Sequence, residues 1–223
     1  MKIPLPAKVS IILENLILHG YEAYIVGGCV RDSLLGRTPD YWDITTQAAP
    51  EKVKELFART VDTGLAHGTV TVLLSGEGFE VTTYRIDGEY EDGRHPKEVI
   101  FTASLKEDLK RRDFTINAMA YNPKTGIVDY FHGKEDLENK IIRCVGDPIE
   151  RFTEDALRIL RAVRFSAQLG FSIEEQTKKA LRVIAPNLKL VSAERIQVEL
   201  VKLLISPHPD FLRTAYQAGI TKE

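Results

Sequence analysis

Ala23-Tyr24-Ile25-Val26-Gly27-Gly28-Cys29-Val30-Arg31-Asp32 joins a short apolar run to two adjacent glycines and the opening of a second patterned segment. The run ends abruptly at Gly27 and reads as a strand, while residues 30–35, closed by Gly36, read as a helix. Strand, glycine turn and helix in that order present backbone N–H groups, unobstructed by side chains, at the positive end of a helix dipole. That arrangement suits a phosphate. Arg31 lies one turn into the helix, so Gly27, Gly28 and Arg31 are candidate anion-binding residues.

Val9, Ile12, Leu13, Leu16 and Ile17 recur at helical spacing between Pro6 and Gly20, which predicts an amphipathic first helix. A second strand is expected over 41–45, a helix opened by Pro50 over 51–57, and strands over 68–74 and 79–85. Residues 86–97 are polar, with two glycines and a proline, and read as a long loop. Ser104-Leu105-Lys106-Glu107 is a capping box that starts another helix. After Gly146-Asp147-Pro148 the pattern becomes helical throughout, over 153–169, 173–185, 192–205 and 209–218. These elements predict an α+β fold, with a mixed sheet flanked by helices over 1–140 and an all-α domain over 141–223.

Composition narrows the class. The chain has 223 residues, 43% hydrophobic and 28% charged, enough for a sizeable core. No run approaches the roughly 18–20 apolar residues of a membrane span, and no signal-peptide layout opens the chain. No membrane association and a cytoplasmic setting are expected. Cys29 and Cys144 match neither a disulfide framework nor a zinc pattern. Residues 1–140 hold 17 basic and 22 acidic residues, whereas 141–223 hold 13 and 10. An acidic half suits a divalent metal and a basic half a phosphate backbone.

Arg111-Arg112-Asp113-Phe114-Thr115-Ile116-Asn117-Ala118-Met119-Ala120 sets two guanidinium forks beside an acid and an amide, which suits triphosphate and ribose contacts. This segment together with Gly27-Gly28-Cys29-Val30-Arg31-Asp32 resembles the class II template-independent nucleotidyltransferases, the tRNA CCA-adding enzymes and bacterial poly(A) polymerases. The resemblance implies a polymerase-β-like nucleotidyltransferase head at 1–140 and a helical neck at 141–223. It also implies Mg2+ as cofactor, with CTP, ATP and the tRNA 3′ end as partners, and nucleotide contacts at Arg112, Asp113 and Asn117.

The same resemblance exposes a departure. The family places two metal-binding carboxylates as Asp-x-Asp, because residues i and i+2 of a strand share a face. Here the sequence is Asp40-Tyr41-Trp42-Asp43-Ile44. Tyr41 stands at the first position, and a neutral phenol is a poor ligand for Mg2+. Asp43 is expected to hold metal, with Asp40 or Glu80 as the compensating ligand, and turnover is expected to suffer.

Glu154-Asp155-Ala156-Leu157-Arg158 matches the family's base-reading motif. Asp155 and Arg158, three apart on one helix, are expected to pair with each other and present a base-like edge. Arg161 and Arg164 extend the series toward triphosphate or primer backbone. Ser192 is expected to cap the last motif's helix, and Glu194 and Arg195 to brace the reading helix. Tyr90, Asp92 and Arg94 match the family's flexible loop. Family members continue beyond the point where this chain stops, so a truncated core is expected. CCA addition, poly(A)-type adenylation and an inactive nucleotide- or RNA-binding module remain three open readings, and the oligomeric state is unspecified.

Overall fold

The computed structural model describes residues 2–88 and 99–222. The described residues form two compact units, one of residues 2–88, 99–112 and 117–133, the other of residues 113–116 and 134–222.

In the first unit, helix α1 (Ala7–Leu18) buries Val9, Ile12, Leu13 and Leu16, the stripe its spacing predicts. It leads into β1 (Ala23–Val26) and α2 (Gly28–Leu34) through Gly27, whose φ of 80° is open to glycine at little cost. Next come β2 (Ile44–Thr46), α3 (Pro50–Leu56), β3 (Thr60–Gly64), β4 (Thr69–Leu74) and β5 (Glu77–Thr83). The ribbon of β6 (Arg85–Asp87) and β7 (Val99–Phe101) precedes α4 (Leu105–Lys110), β8 (Met119–Asn122) and β9 (Gly126–Asp129). Ser104 caps α4, its hydroxyl accepting from the Glu107 amide at 3.4 Å.

Seven strands form one sheet in the order β3-β4-β5-β2-β1-β8-β9. Neighbours are antiparallel except β2 and β5, which run parallel, so the sheet is mixed and the protein is α+β. All four residues of β1 and of β8 are buried. That double-sided burial explains why Met119-Ala120-Tyr121-Asn122 shows no alternation in the sequence. The outer strand β3 is exposed over its three middle residues and lacks an apolar face to announce it. Strand β2 begins at Ile44, not at 41, so Tyr41 and Asp43 lie in its approach.

The second unit contains α5 (Gly133–Glu138), β10 (Ile141–Ile142), α6 (Pro148–Glu154), α7 (Leu157–Leu169), β11 (Ser172–Ile173), α8 (Glu175–Ile184), α9 (Ala193–Leu204) and α10 (Leu212–Gln217). Helix α7 packs on α9 and α6 on α8. Asp147 caps α6 by accepting from the Ile149 and Glu150 amides, and Pro148 fills the first helical position. The helix expected over 153–169 is two helices, because Asp155 is extended (φ −147°, ψ 102°) between α6 and α7. Ser192 occupies the N-cap position of α9 but makes no side-chain capping bond.

Candidate active site

The Val26 amide donates to the Asp43 carbonyl at 3.0 Å, which fixes the approach to β2 against β1. Ile44 lies opposite Val81 in the parallel β2–β5 pair, so the preceding residues, Asp43 and Glu80, stand side by side. Both line a cleft of about 200 Å³ together with Arg85, Arg111, Arg112, Thr69 and Thr82. Asp43 is open to solvent as a residue, yet its carboxyl is crowded by the cleft walls. Burial raises its pKa, and the nearby Arg112 guanidinium offsets part of that rise. The Glu80 carboxyl is likewise pushed up, first by burial and then by the charge of Asp43. Two carboxylates that repel each other in this way attract a divalent cation.

Among the described residues no group of three or more His, Cys, Asp or Glu is arranged to hold a metal. The Asp43–Glu80 pair nevertheless fits Mg2+, which is commonly held by one or two carboxylates plus substrate phosphates. Asp40 and Tyr41 are not among the residues that line this cleft. Tyr41 is 82% exposed. The carboxylate that shares this cleft with Asp43 is Glu80.

The arginines are anchored by a residue that sequence reading passed over. Asp108 is fully buried and accepts from Arg111 Nε and Nη2 at 3.0 and 2.9 Å, from Thr45 Oγ1 at 3.2 Å and from Arg112 Nη2 at 3.5 Å. Burial by itself would raise its pKa, but the Arg111 and Arg112 charges and the donated hydrogen bonds outweigh burial and hold it below the usual range. The signal was available: Asp108 sits three and four residues before the two arginines, on the same side of α4. Arg112 retains a buried Nε with no hydrogen-bond partner among the described residues, a donor suited to an anion.

The glycine turn serves this cleft differently from its expected role. The Gly27 N–H donates to the Met119 carbonyl at 3.1 Å, so it is not a free phosphate donor. A Cβ on Gly27 would lie 3.1 Å from Arg112 Nη1, so this glycine keeps space for the guanidinium. A Cβ on Gly28 would meet Arg31 Nη2 at 3.6 Å. Arg31, expected on phosphates, is buried, forks onto Asp32 at 2.9 Å and donates to Asn117 Oδ1 at 2.6 Å. It orients Asn117. The Gly27→Ala variant is expected to lose about 1–3 kcal/mol for a side chain in a backbone region open to glycine and to weaken anion binding in the cleft by displacing Arg112. Denaturant unfolding alongside titration with inorganic triphosphate would check both, and unchanged affinity would count against this role.

In the second unit, Asp113 accepts from the Phe114 amide at 2.8 Å through Oδ1 and from Arg161 Nε and Nη2 at 2.9 and 2.6 Å through Oδ2. Arg161 Nη1 lies 3.7 Å from Glu199. Arg164, expected on phosphate, is 6% exposed, donates to Glu199 at 2.7 Å and stacks 3.6 Å from the Phe165 ring centroid. Glu199 had no spacing signal, since its partners are 35 and more residues away.

The expected pairing of Asp155 with Arg158 is corrected by the helix break. Asp155 accepts from Arg195 Nη1 and Nη2 at 3.3 and 2.8 Å, while Arg158 donates to Glu154 at 2.6 Å and to the Arg151 carbonyl at 3.1 Å. Arg195 thus braces Asp155, whereas Glu194 is exposed. Tyr90, Asp92 and Arg94 fall outside the described residues. No described helix is long and apolar enough to cross a membrane.

Residues 23–143, more than half of the chain, match the family model described as the poly A polymerase head domain. Residues 170–223 match one described as a probable RNA and SrmB-binding site of polymerase A. The CCA-adding enzyme of Lactobacillus helveticus is 55% identical over 210 residues, covering 94% of this chain and 52% of that protein. That of Oceanobacillus iheyensis is 54% identical over 201 residues, covering 90% and 50%. The crystal structure of the Bacillus stearothermophilus CCA-adding enzyme in complex with CTP superposes with a TM-score of 0.89 at 45% identity, covering 99% of this chain and 53% of that one. The Thermotoga maritima CCA-adding enzyme complexed with tRNA gives 0.80 at 29% identity, covering 98% and 52%. The chain spans about half the length of these relatives. With the sheet, the paired carboxylates and the anchored arginines in place, the chain belongs to the poly A polymerase head-domain family of nucleotidyltransferases.

Proposed function

We propose that this chain is the catalytic core of a tRNA nucleotidyltransferase that transfers CMP and AMP from CTP and ATP to the tRNA 3′ end and releases pyrophosphate. The observation that carries the reading is the Asp43–Glu80 pair lining the same cleft as Arg111 and Arg112. Asp43 and Glu80 would hold Mg2+, which when bound neutralises charge on the phosphates and makes the attacking hydroxyl more acidic. Arg112, kept in place by Asp108, holds the triphosphate so that its α-phosphorus faces the acceptor hydroxyl and pyrophosphate can leave. Asn117, oriented by Arg31, is assigned to the sugar, as is Asp113. Asp155 and Arg158 are assigned to base selection, with Arg195 and Glu154 fixing their rotamers. Gly28 borders the phosphates. Arg161 and Arg164 support Asp113 and α9 through their ion pairs with Asp113 and Glu199.

The test is incubation with tRNA lacking its terminal CCA, labelled CTP or ATP, and Mg2+. The expected product gains C residues with CTP alone and stops after a single A when ATP is added. The name of the head-domain match favours an RNA adenylyltransferase as the second reading, and long A tails would establish it. CTP binding without any incorporation would reduce the chain to a binding module. Because a carboxylate must be deprotonated to hold the ion, and both carboxyls are pushed upward in the metal-free protein, Mg2+ binding is expected to weaken on acidification starting above the ordinary carboxylate range. A Mg2+ affinity that stays flat down to that range would oppose their assignment.

A further inference from the structure

Asp43 and Glu80 line two hollows. On one side is the arginine cleft. On the other is a larger hollow of about 940 Å³, whose lining includes Tyr41, Trp42 and Phe79 beside Asp40, Lys8 and Glu77. The two sides have opposite chemistry. Lys8, the cation among these lining residues, is paired with Glu77 at 2.7 Å, while Asp40, Asp43 and Glu80 leave the hollow acidic. A triphosphate is repelled from such a wall and attracted to the arginines. What suits the acidic side is a group that meets the carboxylates with a hydroxyl and offers a flat face to aromatic rings. Tyr41 supplies such a ring, 82% exposed, and Trp42 a half-buried one.

Resting on the function proposed above, we propose that this hollow receives the 3′-terminal nucleoside of the RNA acceptor. Its base stacks on Tyr41 and Trp42, and its 3′-hydroxyl lies toward Asp43 and Glu80. Position 41 then grips the acceptor and is no metal ligand. Base–aromatic stacking tolerates any base, because every base has a π face, and is worth about 1–3 kcal/mol per base, which corresponds to roughly 5- to 150-fold in affinity.

Trp42 is the single tryptophan of the chain, so intrinsic fluorescence reports on this hollow. Titration with a short single-stranded RNA, without nucleotide, is expected to quench it. The Tyr41→Ala variant should bind that RNA roughly 5- to 150-fold more weakly. The same RNA with an abasic 3′-terminal residue should bind both proteins equally, at the weakened level. CTP binding, followed by calorimetry and abolished in Arg112→Ala, is the independent control on the arginine cleft. If Tyr41→Ala and the abasic end each change RNA affinity less than twofold while CTP still binds, the acceptor assignment is wrong and the nucleotidyltransferase reading survives. If the unmodified protein does not bind CTP, both are overturned.

Discussion

With Asp43 as the proposed metal ligand, replacing it with Asn is expected to reduce the proposed nucleotide incorporation at least about 100-fold, more than the 10–100-fold typical of residues behind a metal ligand. The fold should be undiminished or slightly more stable. The stability half of this expectation follows from the direction of the pKa. A carboxyl raised by burial binds its proton more tightly folded than unfolded, so stability declines as pH rises from the unfolded to the folded pKa. Above the folded pKa that penalty is fully present, and the amide removes it. Active sites commonly carry such a trade of stability for function. Incorporation assays and thermal unfolding on the same preparation decide the matter. Activity within a few-fold of the parent would remove Asp43 from the proposed metal site. A drop in Tm of many degrees would make it a structural residue, since about 1 kcal/mol moves Tm by roughly 2–4 °C in a chain of this size.

Asp108→Ala should act in the opposite way, with about 3–5 kcal/mol lost from a total of about 5–15 kcal/mol. It leaves the Arg111 and Arg112 guanidiniums and the Thr45 hydroxyl without their shared buried acceptor. The lowered pKa of Asp108 means that its stabilisation is present above the unfolded carboxylate pKa and is lost as pH falls through the still lower folded value. Urea unfolding near neutral pH should show the loss, and it should shrink in strong acid, where the parent also carries a protonated Asp108. A loss below about 1 kcal/mol at neutral pH would mean that the arginines find other partners. Asp108→Asn, which keeps the volume, separates charge from packing.

The two units were legible from the sequence to different depths. Helix α1, the glycine turn and the capping box at Ser104 were readable because each rests on local chemistry: spacing, a positive φ, a hydroxyl three residues from an amide. Strand β8 was not, since burial on both faces erases alternation, and β3 was not, since it has little buried face. The site divides in the same way. Asp43 and Arg112 could be chosen from motifs, whereas the partnership of Asp43 with Glu80 depends on strand register, and that of Asp155 with Arg195 on a helix break. Motifs identify residue types, but the pairing of charges is a tertiary fact.

The lone parallel junction of the sheet also bears on how the protein acquires its chemistry. Joining β2 to β5 in parallel requires the intervening chain to cross over, and Thr45 and Thr82, which bond across that junction, are 37 residues apart. Hairpins such as β4–β5 can close early and locally, but this pairing waits for a long loop to lose its entropy. Asp43 and Glu80 come together at that step. If Asp43 and Glu80 hold Mg2+ as proposed, affinity for the ion should appear during refolding only with the β2–β5 pairing, after the hairpins have formed.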